Sequence, residues 1–157
     1  VKSDNMKFDR QSWIKDKAVH KYTSTAWTGK LGEDWQTVSY TVTPSKSGNI
    51  NINMMGQWAK TADTRGWVLV DNIKINGELV PNGDFKKTWK DQKTGKIRPQ
   101  NFWLSNKAQY VPDGGKDGSA AILVNHDNAC WSTLRNVEAG KAYTFEFTVK
   151  AAEAPAE

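Results

Sequence analysis

The chain has 157 residues, 38% hydrophobic, 25% charged and 11% aromatic, with 22 Lys and Arg against 17 Asp and Glu for a net charge of +5. That length suits one domain with a real core, and the composition excludes disorder, collagen and coiled coil. No apolar run approaches the roughly 18 residues of a membrane-spanning helix, so no membrane insertion is expected, and the single cysteine, Cys130, excludes an internal disulfide and a cysteine-based zinc site.

Val1 is not an initiator, which reads as a processed or excised chain. Leucine is scarce, while Thr, Val, Asn and 8 Trp favour strands and polar loops. In chain order, strands fit residues 7–14 and 19–26. Val38, Tyr40 and Val42 then alternate with small polar residues, as do Ile50, Ile52 and Met54 with asparagines. Further strands fit 67–75, 103–111, 120–126 and 131–137. Last, Tyr143, Phe145, Phe147 and Val149 alternate with Thr144, Glu146, Thr148 and Lys150. Period-2 alternation marks half-buried strands. Gly, Pro and Asn punctuate the gaps, including Asn76–Gly77. No window has a helical period. The pattern predicts an all-β, two-sheet antiparallel β-sandwich of jelly-roll type over residues 1–150. Residues 151–157, AAEAPAE, read as a linker or tail.

Four motifs carry a resemblance: DWQTVSYTVTPSKSGNININM (34–54), WVLVDNIKING (67–77), LVPNGDF (79–85) and NVEAGKAYTFEFTVKA (136–151). Together they resemble carbohydrate-binding modules related to families 4, 9 and 22. The closing motifs come first here and the opening motif arrives at Leu79. Either the domain is circularly permuted, or half of one repeat is joined to half of the next; a single permuted sandwich is the expectation. The resemblance implies a non-catalytic, secreted or extracellular module that binds polysaccharide and targets an appended polysaccharide-degrading enzyme. It also implies a structural calcium, with Asp71 and Asp84 as the candidate side chains, although Lys86 stands where a further acidic ligand is common. The alternative is a structural or adhesive β-sandwich of a surface protein without its own sugar site.

The residues themselves offer little catalysis. Carboxylates occur without a paired arrangement, and His20 and His126 have no triad neighbours. Cys130 reads as a buried spectator. PDGGKDG (112–118) lacks the EF-hand spacing and reads as a turn. No nucleic-acid partner is expected: there is no RNA- or DNA-binding signature, and only 4 of the 22 basic residues are Arg. The concentrated lysines of 84–98 read as a solvated loop, with a polyanion contact as the other reading.

Sugar recognition fits better. Flat aromatics cover the C–H face of a pyranose, and polar side chains satisfy its hydroxyls. Trp131 and Arg135 share a parity opposite Leu134, and Glu146 is outward on the last strand; these three are expected to converge. Trp58 with Gln57, and Arg65 with Trp67, flank 59–66 and form an expected rim. Trp27, Trp103 and His126 are further ligand candidates. Trp35 and Trp89 read as structural.

Overall fold

The computed structural model describes residues 6–8, 13–14, 34–43, 47–56, 60–61, 66–105 and 107–155. Two short strands, β1 (Met6–Phe8) and β2 (Trp13–Ile14), stand where one strand is expected. They precede β3 (Gln36–Val42), β4 (Gly48–Gly56), β5 (Trp67–Ile75) and β6 (Glu78–Leu79). β7 (Thr88–Lys90) and β8 (Ile97–Pro99) pair as a separate hairpin. β9 (Trp103–Leu104), β10 (Gln109–Val111), β11 (Ala121–Val124), β12 (Cys130–Val137) and β13 (Tyr143–Ala152) follow.

Among the described residues, two main antiparallel sheets pack together. One runs β1-β4-β12-β9 with β2 also on β4; the other runs β10-β11-β5-β13-β3 with β6 on β5. The core follows from the alternation. Phe145, Phe147 and Val149 of β13 are fully buried between half-buried polar neighbours. Val38, Val68, Val70, Ile122 and Val124 join them, and Met54 and Cys130 meet them from the other sheet. Phe85 and Phe102 plug the core from loops, edge to face at 5.1 Å.

β5 changes face midway. Val68 and Val70 are buried, and then Ile73 is. The slip is a β-bulge: on β13, Glu146 opposes Lys74, but Thr148 opposes Asp71. Asn72 absorbs the extra residue in the left-handed region, at φ 46. The bulge leaves Asp71 fully buried on the side away from Val70.

The two halves of the sequence interleave. β3, β4 and β5 pair with β13, β12 and both β11 and β13 respectively. The Asn76–Gly77 turn joins β5 to β6 as expected, with φ 52 and 83 at its centre. Both values are those of a two-residue I′ hairpin. A Cβ at Gly77 meets nothing within 4 Å, so Gly77→Ala is purely a conformational cost. It is expected to lose about 1 kcal/mol in urea unfolding. An unchanged midpoint would show that this turn tolerates a side chain freely.

Three expectations are corrected. The opening strand that the resemblance implies over 79–85 stops at Leu79; the chain then doubles back so closely that a Cβ at Gly83 would lie 2.4 Å from the Ile73 carbonyl. The strand expected over 103–111 is broken by a turn closed from Ala108 N–H to Ser105 O, and its two pieces, β9 and β10, lie in different sheets. β13 runs past Lys150, with Ala151 opposite Val68 and Ala152 opposite Trp67, so the expected tail begins later. The strand expected over 19–26 lies outside the described residues.

Candidate functional site

The site grows from one cross-strand pair. Trp103 of β9 stands directly opposite Trp131 of β12, while their neighbours Leu104 and Cys130 turn inward. Alternation therefore puts both indoles on the outer face of the sheet. Their rings stack with centroids 5.8 Å apart and planes 27° from parallel. Both are exposed, Trp103 by 57% and Trp131 by 37%. Each indole restricts the other, so the platform is ordered before anything binds.

β9 ends at Leu104 and opposes only Cys130 and Trp131. Beyond Trp131, β12 has no strand on that side among the described residues. A groove of about 550 Å³ occupies the open edge. Ile75, Val80 and Leu134 give it apolar walls; Asn101, Ser132, Thr133 and Arg135 give it polar ones, and Trp103 borders it. Asn101 donates from Nδ2 to the Pro81 carbonyl, and the Ser132 hydroxyl donates to the Asn101 carbonyl at 2.6 Å. The rim is thus tied to both sheets. Arg135 is exposed at its end, within a second bulge between Leu134 and Val137, where Asn136 has φ 60.

The arrangement brings together Trp131, Trp103 and Arg135, which the sequence singled out. It does not bring in Glu146. That residue lies on β13, in the opposite sheet, between Ser39 of β3 and Lys74 of β5. The expected convergence fails because β12 and β13, consecutive in sequence, belong to different sheets. His126 sits in the turn between β11 and β12, its Nδ1 3.2 Å from the Asp127 carboxylate. Gln57, Trp58, Arg65 and Trp27 lie outside the described residues, and Trp67, expected on the rim with Arg65, is instead buried at the start of β5. Asn101, Ser132 and Thr133 were not singled out. For Thr133 the signal was its parity with Trp131.

Of the tryptophans read as structural, Trp35 is half-buried, with the Lys150 ammonium 4.9 Å from its ring centroid. Trp89 is 42% exposed on β7, which corrects its assignment to the core. Burial pushes the Cys130 thiol far up from its ordinary pKa, consistent with a spectator.

Asp71 is committed to hydrogen bonds. Its carboxylate accepts from the Asn72 N–H at 2.7 Å, the Lys116 N–H at 3.1 Å and the Ser119 hydroxyl at 2.7 Å. A cation prefers oxygen ligands, whereas these partners present protons. Asp84 lies against Lys86, 3.5 Å from its ammonium. Among the described residues, no group of three or more His, Cys, Asp or Glu stands ready for a metal. These surroundings do not fit calcium, and nothing below is routed through one. Compared with protein-family models, with curated proteins and with solved structures, the chain matches none.

Proposed function

We propose that the protein is a non-catalytic carbohydrate-binding module that holds a polysaccharide against the Trp103–Trp131 platform and the groove along β12. The observation that carries this reading is the stacked, solvent-exposed indole pair beside a polar-rimmed groove. An exposed aromatic pair costs solubility without helping the core, and such patches mark interaction sites. A pyranose stacks its C–H face on an indole, while Arg135, Thr133 and Asn101 meet its hydroxyls. In this reading the module is secreted and raises the local concentration of an appended polysaccharide-degrading domain at its substrate. Its sandwich is a circularly permuted jelly roll. The β5–β6 hairpin, which joins the closing and opening motifs, supports that topology, as does the interleaving of the two halves.

The test is tryptophan fluorescence and calorimetry against a panel of neutral polysaccharides. Stacking and short hydrogen bonds are screened little by salt. Binding at this site is therefore expected to change less than about twofold as salt rises through the physiological range. A panel with no neutral binder would overturn the reading.

A further inference from the structure

Away from the platform, the β7–β8 hairpin gathers positive charge around an indole. Lys86, Lys87, Lys90, Lys93 and Lys96 are all exposed there, with Trp89 among them. Thr88 and Pro99 face each other on one side of the hairpin; on the other side Trp89 is exposed and its partner Arg98 is half-buried against Asp91. Lys87 precedes Trp89 by two residues on the same face, and Lys96 precedes Arg98 likewise. Among the described residues, only Lys86 and Arg98 of these cations have a carboxylate within ion-pair distance, Asp84 and Asp91 respectively.

The hairpin is held in shape. The Asn82 amide donates to the carbonyls of Lys87 and Gln100 and accepts from the Lys87 N–H, which clamps both strands at their base. At the tip, Asp91 accepts from the Lys93 N–H at 2.9 Å and from Arg98 Nε at 3.2 Å. The Lys93 N–H, first, holds the Asp91 carboxyl below the usual range, so it stays charged and keeps the turn closed. The backbone positions that carry the cations are therefore held at fixed spacing, which lowers the ordering cost of binding.

We infer that this hairpin is a second binding face, specific for an anionic polysaccharide carrying carboxylates or sulfates. Charge complementarity argues for an anionic polymer. One isolated indole offers a platform for a single sugar ring, with Lys87 and Lys96 placed for charges on neighbouring positions. A nucleic-acid strand is favoured by successive aromatics and free guanidinium groups, whereas Arg98 is already engaged by Asp91. A membrane is favoured by an apolar tip, whereas residues 91–96 read DQKTGK.

Polygalacturonate and dextran sulfate are the probes, with neutral dextran, an oligothymidine and phosphatidylcholine–phosphatidylserine vesicles as comparators. Both anionic glycans are expected to bind at low salt and to lose roughly tenfold or more in affinity between about 50 and about 300 mM NaCl. The triple variant Lys87→Gln, Lys90→Gln, Lys96→Gln is expected to lose roughly tenfold or more at low salt. Trp89→Ala is expected to lose about tenfold, with Trp89→Phe recovering most of it. Trp131→Ala is expected to leave this binding unchanged, which separates it from the neutral-glycan site. All the substituted side chains are exposed, and thermal unfolding checks that the fold survives. The inference is overturned by no binding at low salt, by a triple variant that binds normally, or by equal losses in Trp131→Ala. Tighter binding of the oligothymidine or the vesicles, lost in the same variants, overturns the glycan assignment.

Discussion

Asp71→Ala is expected to destabilise the protein by about 3 kcal/mol, a large part of a domain's usual stability. The carboxylate is fully buried and accepts three hydrogen bonds, two of them from the Lys116–Ser119 loop. Removing it takes the acceptor away from the Asn72 N–H, the Lys116 N–H and the Ser119 hydroxyl at once. The loop lies tight against this carboxylate: a Cβ at Gly115 would lie 2.7 Å from Asp71 Oδ2. Asp71→Asn keeps one acceptor oxygen and the volume, and the Ser119 hydroxyl is able to rotate toward its own Lys116 carbonyl acceptor. It is therefore expected to cost about half as much. Urea unfolding of both variants measures this. A loss below about 1 kcal/mol in Asp71→Ala would show that the loop is anchored by other contacts.

Trp103→Ala and Trp131→Ala are each expected to weaken neutral-glycan binding by roughly 1–3 kcal/mol while the fold survives. Both rings lie on the outer face, so no core volume is lost. The two losses are not expected to add. Each indole fixes the orientation of the other across β9 and β12, so the first substitution also loosens the ring that is left. The double variant should therefore lose less than the sum. Glu146→Gln, on the opposite sheet, should bind as the parent does. Calorimetry on the four variants decides. Normal affinity in both single variants, or a full loss in Glu146→Gln, would move the site away from β12.

The strands and the site were unequally legible. Alternation located β3, β4 and β13 because it depends only on neighbours in the chain. The parity of Trp131 and Arg135 against Leu134 was readable for the same reason. The bulge at Asn72 was not read from the sequence, because Leu69 is apolar too and hides the slip from Val70 to Ile73. What periodicity cannot carry is which strand lies beside which. Consecutive strands usually pair, and that expectation put Glu146 next to Trp131. The chain instead changes sheets between β12 and β13, as it does between β9 and β10. Trp103 was a lone candidate on sequence. Its value as half of a platform comes from the β9–β12 register, a contact between distant parts of the chain. Trp89 was misread because its hairpin packs outside both main sheets, where an aromatic residue need not be core.

The interleaving of the two halves also governs when the molecule is able to fold. β13, the last strand described, fills the middle of its sheet between β5 and β3. The hydroxyls of Thr41 and Thr144, 2.9 Å apart, are separated by 103 positions along the chain. Pairings of such high contact order are slow to find, because the loop entropy is lost before the contacts form. During synthesis, β3 and β5 leave the ribosome with a gap between them that only the final strand closes. Until then both present open edges to any other strand nearby, so a nascent chain of this topology is exposed to mispairing until β13 emerges.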